Sequence, residues 1–212
     1  MMAGRRERAM LSHAELPPLA LDIQIMVMPA LAPEITTIDA LLVLPDDGMR
    51  HELLDGVHAV TPSPAYHHQV ILREIEHRIV AALDEQHRYQ VLWSPADIVL
   101  GPRTLVQPDL FVIDVPPGKR VRSWADVGVP VLVVEVLSPG TAARDRGTKR
   151  RIYQQAGVAE YWIIDMDARL VERWRPADDR PEVLSETLRW QPDSTASPLD
   201  IDLQALFAQI LH

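Results

Sequence analysis

The sequence predicts an α/β protein, an α+β mixed sheet flanked by helices, and three observations predict it. Candidate elements run strands, helix, strands, helix, strands, the order expected when helices cover a mixed sheet. Residues Tyr66 to His87 place Val70, Ile71, Ile75, Ile79, Val80 and Leu83 on one helical face, with charges opposite. The run Val131 to Leu137 is apolar on both alternating faces, as a central strand would be, yet it contains Glu135.

The elements follow from local chemistry. Thr36-Thr37-Ile38-Asp39 opens a short helix, with a threonine N-cap and an acid three residues after Thr36. It ends near Pro45, and Pro45-Asp46-Asp47-Gly48 makes a turn. His51 to Leu54 and Val57 to Val60 flank Asp55-Gly56, a hairpin signal because a type I′ turn needs positive φ. Strands are then expected at Gln90 to Trp93, Asp97 to Leu100, Leu110 to Ile113 and Val131 to Leu137. A loop marked by proline and glycine, with a short helical turn, separates the last two. Arg144 to Ala156 reads as a second core helix stopped by Gly157. Glu160 to Asp165 and Leu170 to Arg175 form a hairpin through Met166 to Ala168. Glu182 to Leu188 is a polar strand, and Asp202 to Leu211 a last short helix.

The chain has 212 residues, 47% of them hydrophobic, enough for one domain with a sizeable core. Arg5, Arg6 and Arg8 before an apolar stretch imitate a signal peptide, but Pro17, Pro18, Asp22 and Gln24 interrupt it. Residues 1–33 therefore read as a poorly ordered extension and 34–212 as the domain. No apolar run reaches membrane-spanning length, and cysteine is absent, so a cytoplasmic protein without thiolate metal sites or disulfides is expected. The net charge of −9 argues against binding nucleic acid through a generally basic surface. A local basic patch or bridging metal ions would be needed.

Candidate chemistry centres on buried acids. An unpaired, ionised Glu135 inside an apolar strand would cost several kcal/mol, so it must meet a cation, a proton or a metal ion. Asp109 follows Pro108 at the start of the Leu110 strand, where a strand begins at a bulge or edge. Two such acids on neighbouring strands could share a hard cation such as Mg²⁺ or Mn²⁺. The following helix carries Arg144, Arg146, Lys149, Arg150 and Arg151 against Asp145 alone. One reading makes Asp145 and Lys149 a surface i,i+4 pair worth about 0.3–0.5 kcal/mol. The other turns Lys149 toward the carboxylates, where an ammonium would stabilise charge developing on a phosphate. The remaining cations, Arg144, Arg146 and Arg150, would then hold a nucleic-acid backbone.

The motifs Gln107-Pro108-Asp109, "VVEVLSPGT" around Glu135, then Asp145, Lys149, Tyr153 and "GVAEYWIID", closely resemble the Uma-two family of restriction-endonuclease-like proteins. "MRHELLDGV" and "SPAYHH" extend the likeness, which covers about residues 34 to 190. The resemblance implies a restriction-endonuclease-like fold of the PD-(D/E)XK group and metal-dependent hydrolysis of nucleic-acid phosphodiesters, DNA foremost. Asp109 and Glu135 match the metal-binding acids. The group's lysine, expected two residues after the glutamate, is Leu137 here, and Lys149 is the matching residue. Glu52 matches an acid of the first hairpin, as a third carboxylate or a partner of an arginine. His67 matches a histidine at the start of the long helix. Gln107 and Tyr153 flank the proposed site, Tyr153 either orienting Lys149 or packing. A homodimer is compatible with this reading. The alternative is a non-catalytic nucleic-acid-binding or dimerisation module that retains the fold.

Overall fold

A computed structural model describes residues 34–83 and 88–211. The expected extension at 1–33 and the last turn expected for the long helix, 84–87, lie outside the described residues.

The described chain opens with helix α1 (Ile38–Leu42), whose cap is Thr37 rather than Thr36: its side chain accepts from the Ala40 amide. Strands β1 (Arg50–Leu54) and β2 (Val57–Thr61) pair antiparallel around Asp55 (φ 54°) and Gly56 (φ 85°), the two positive values a type I′ turn requires. Helix α2 (Tyr66–Leu83) buries His68, Ile71, Leu72, Ile75, Ile79 and Leu83 along one stripe.

Next come β3 (Tyr89–Trp93), β4 (Ile98–Gly101), β5 (Thr104–Val106), β6 (Leu110–Asp114) and β7 (Leu132–Val136). A 3₁₀ turn at Trp124–Asp126, with a Ser123/Asp126 capping box, interrupts the loop before β7. One continuous helical stretch follows: α3 (Ala142–Arg144), a π segment (Asp145–Lys149) and α4 (Arg150–Ala156). Gly157 ends it with φ 81° and donates to the Tyr153 and Gln154 carbonyls. Strands β8 (Glu160–Asp165) and β9 (Leu170–Trp174) form the expected hairpin.

The single strand expected at Glu182 to Leu188 is instead two. Strand β10 (Glu182–Leu184) pairs with β9, whereas β11 (Thr187–Trp190) pairs with β12 (Leu199–Asp202). The side chains at 185 and 186 are partly or fully exposed, so the chain can bend there into another sheet. Helix α5 (Leu203–Ile210) closes the chain, capped by Asp202.

The main sheet has the order β10-β9-β8-β7-β6-β3. Only β7 and β8 run parallel, joined by the α3–α4 crossover; the other neighbours are antiparallel. A second sheet has the order β2-β1-β5-β4. Strand β7 is central, and its alternation sorts the core as expected. Leu132, Val134 and Val136 join α2, α5 and β11–β12 on one side. Val133 joins Phe111, Ile163, Ile152 and Tyr153 on the other, with Ile98 and Val106 of the second sheet. Glu135 belongs to this second face by strand period.

Gly157 has open space around the position of a Cβ, so any cost of a side chain there is a backbone cost. Gly157→Ala is expected to lower stability by about 1–2 kcal/mol. Urea unfolding should show an earlier midpoint with an unchanged slope.

Candidate active site

Strand register brings the two predicted acids together. Leu110 pairs with Val134 across β6 and β7, so Asp109, one residue earlier, stands opposite Glu135. Opposed residues of an antiparallel pair project from the same face. The Asp109 carboxylate also reaches past Glu135, accepting a hydrogen bond from the Val136 amide at 2.9 Å. Both acids are buried, 4% and 2% exposed, and both line a cleft of about 610 Å³.

Each acid has its own set of partners. Asp109 Oδ1 accepts from the Arg50 guanidinium at 2.5 Å, and Oδ2 lies 3.0 Å from His68 Nε2. Glu135 Oε1 accepts from Lys149 Nζ at 2.7 Å and from the Tyr153 hydroxyl at 2.9 Å. Lys149 Nζ also lies 2.9 Å from Glu52 Oε1, which accepts from the Gln107 amide at 2.8 Å. One buried ammonium therefore joins a carboxylate of β1 to a carboxylate of β7.

The local sequence explains this convergence. Arg50 and Glu52 are two residues apart on β1 and project from one face. Proline at 108 removes a ladder donor just where the chain enters β6. On the helix after β7, the π segment shifts the register by one residue at Asp145 to Lys149, a distortion frequent at functional sites. Asp145, Lys149 and Tyr153 are all buried beneath it.

The electrostatics divide the two acids. Burial would raise the Asp109 carboxyl, but the hydrogen bond and charge of His68, with Arg50 and Lys149, hold it well below the usual carboxylate range. Burial pushes Glu135 up, to about 8, with the negative charges of Asp109, Asp145 and Glu52 adding to the rise against the opposing charge of Lys149. Burial also raises Asp145, against the opposing pull of Lys149 and a hydrogen bond from Thr141. Lys149 stays charged: burial disfavours its ammonium, but Glu135, Glu52 and Asp145 more than compensate.

The sequence matches the Uma2 family, described as "Putative restriction endonuclease", over residues 38–204. The chain belongs to this family. A crystal structure described as a putative nuclease belonging to DUF820 from Anabaena variabilis superposes with a TM-score of 0.71 at 24% identity, covering 82% of this chain and 99% of that one. That likeness establishes the shared fold, a restriction-endonuclease-like one. No curated protein matches.

The structure of this Uma2 chain relocates several expected residues. His67 is exposed, its ring edge-on to Tyr66, and takes no part in the cleft. Its neighbour His68 is the buried histidine beside Asp109. The apolar stripe of α2 carried the signal: His68 falls in step with Leu72, Ile75 and Ile79, and His67 does not. Arg50 was also missed, although it shares a strand face with Glu52. Glu52 pairs with Lys149, not with an arginine. Asp145 and Lys149 are no surface pair: both are 2% exposed. Tyr153 donates to Glu135, not to the lysine. Gln107 contributes its amide, while its side chain turns to Asp97.

Among the arginines of the basic helix, Arg144 lines the cleft and donates to Thr61. Arg146 lines it too but is tied to Asp165 and Glu172. Arg150 lies over the Trp174 ring at 4.9 Å and donates to Gln154, away from the cleft.

Among the described residues, no three His, Cys, Asp or Glu side chains are arranged to hold one metal ion. Magnesium needs fewer: it is commonly held by one or two carboxylates, with waters and substrate phosphates completing its shell. Asp109 and Glu135 fit that donor set in chemistry and placement. Arg50 and Lys149 are the internal cations that compete for them.

Lys149→Met should lower stability by about 3–5 kcal/mol, since it leaves two buried carboxylates without a cation. Adding Glu135→Gln to that variant should recover part of the loss in denaturant titrations. The raised value of Glu135 sets a pH dependence as well. Between its ordinary 4.5 and about 8 the folded state keeps a proton that the unfolded state releases. This group's stabilisation is therefore complete below 4.5 and is lost as pH rises through about 8. Metal-free Glu135→Gln should show a shallower decline in stability over that range.

Proposed function

We propose that the chain is a metal-dependent endonuclease that hydrolyses nucleic-acid phosphodiesters, with DNA as the first candidate substrate. The observation that carries this reading is the pairing of Asp109 and Glu135 in one cleft, with the buried Lys149 ammonium 2.7 Å from Glu135. Membership of a family described as restriction endonuclease supports the reaction class.

Asp109 and Glu135 would hold Mg²⁺ or Mn²⁺. When bound, such an ion lowers the pKa of a water molecule and polarises the phosphate. The chain's own groups do the rest. Tyr153 and Lys149 fix Glu135 Oε1 and so set the direction of the other oxygen, Oε2. Glu52, itself held by the Gln107 backbone amide, pairs with the same ammonium. The ammonium lines the cleft, where it would stabilise negative charge developing on a non-bridging phosphate oxygen. Arg144 lies along the same cleft, within reach of the substrate backbone.

A second reading has its own observation. Both Asp109 oxygens and Glu135 Oε1 already have hydrogen-bonding partners within the protein. A chain locked in that state would be a non-catalytic nucleic-acid-binding or dimerisation module.

Asp109→Asn separates the two readings: its side-chain oxygen can still accept from the Val136 amide, and circular dichroism and thermal unfolding check that the variant is folded before its activity is read. Plasmid, single-stranded DNA and RNA would each be incubated with and without Mn²⁺. The nuclease reading expects metal-dependent cleavage of at least one substrate and a loss of at least a hundredfold in Asp109→Asn. Cleavage at the wild-type rate by the variant would remove Asp109 from the chemistry. Calorimetry adds a separate readout: Mn²⁺ binding that disappears in Glu135→Gln supports the ion site, and its absence in the wild type favours the module.

A further inference from the structure

A second cavity, of about 510 Å³, adjoins the cleft. Arg50, His68 and Asp109 line both, so the two spaces share the wall formed by the Asp109 cluster. The outer wall of this cavity includes Trp93, which is 59% exposed although it is among the largest apolar side chains. None of the described residues stacks on its ring. Met49, also exposed, and Leu72 add further apolar lining.

Residues of the cavity wall also have unmet hydrogen-bonding capacity. Five buried side-chain polar atoms lack a partner among the described residues: Arg50 Nε, His68 Nδ1, Gln107 Oε1, Arg144 Nε and Trp174 Nε1. The first three belong to residues that line this cavity. Buried polar atoms are rarely left unpaired, and these three are closed off from solvent, so a ligand in the cavity pairs them once their side chains turn toward it. They include a donor, Arg50 Nε, and an acceptor, Gln107 Oε1, as the edge of a heterocyclic base requires.

We infer that this cavity is a base pocket, in which an unpaired nucleobase adjoining the reacting phosphate stacks on Trp93 and presents its edge to Arg50, His68 and Gln107. The inference rests on the nuclease reading for the placement of the phosphate in the neighbouring cleft. A flat ring of this kind suits the space, since ligand pockets run from about 300 to 1,000 Å³. A paired base would have to leave its stack to enter. The occupant is therefore a single strand or an extruded nucleotide. Such stacking tolerates every base, because each has a π-face.

The test uses the full chain with Ca²⁺ and a labelled single-stranded thymidine dodecamer, beside a dodecamer of the same backbone with abasic sites. Affinity is read by fluorescence anisotropy. Trp93→Ala should weaken binding of the thymidine strand by about 5- to 150-fold, and Trp93→Phe should retain it. The abasic strand should bind wild type and Trp93→Ala alike. Intrinsic fluorescence should be quenched by the thymidine strand in wild type, and much less in Trp93→Phe. The pocket is overturned if Trp93→Ala binds like wild type, if it loses both strands equally, or if neither strand binds. It is also overturned if the variant changes the sedimenting mass and leaves affinity alone, since a second copy would then be the occupant. Binding is read without turnover. A Trp93-dependent affinity in a chain that never cleaves would therefore retain the pocket and reject only the hydrolysis.

Discussion

The ammonium of Lys149, held between Glu135 and Glu52, is the interaction on which the site depends. An acid inside a central strand has to be compensated, and the cost of leaving it bare is several kcal/mol. Here a single cation serves two acids from different sheets. It thereby fixes β1, an inner strand of the second sheet between β2 and β5, against β7 at the centre of the main sheet. Burial raises the proton affinity of Glu135 in spite of that charge.

Asp109 is solved differently, with the Arg50 guanidinium, the His68 ring and a backbone amide. The result is two carboxylates on one wall with opposed tendencies, one firmly ionised and one inclined to hold a proton. Divergent environments of this kind are typical of sites that do chemistry, although structural ion-pair networks produce them too. The π segment that carries Asp145 and Lys149 belongs to the same solution. It departs from regular helix geometry at the turn that faces the acids. An acidic chain with such a cleft can engage a polyanion only through local cations, and Arg50, Lys149 and Arg144 are all on that wall.

Much of this was legible in the sequence. Glu135 stood out because it breaks an apolar run, and Asp109 because it follows a proline at a strand start. Asp55-Gly56 and Gly157 marked their turns, since both require positive φ. What escaped depended on register and on pairing across sheets. Choosing between His67 and His68 required the phase of the α2 stripe, not merely its existence. Strands β5 and β12 have three and four residues, too short to show a period. The π segment leaves no compositional trace, and a regular helix would have placed the same charges nearby. The partners of Arg146 and Arg150 are tertiary: Asp165 and Glu172 on the β8–β9 hairpin, and the Trp174 ring. A cluster of five cations on one helix therefore looked more available for a nucleic-acid backbone than it is.

The central claim is that Asp109 and Glu135 together form the seat of a divalent ion and that Arg50 yields its place on Asp109 to it. A crystal structure with Mn²⁺, located by its anomalous scattering, tests that most directly. The account predicts a manganese peak in contact with both carboxylates and the Arg50 guanidinium withdrawn from Asp109 Oδ1, with Lys149 still on Glu135. No peak between the two acids at saturating Mn²⁺, with Arg50 still bonded to Asp109, would contradict it.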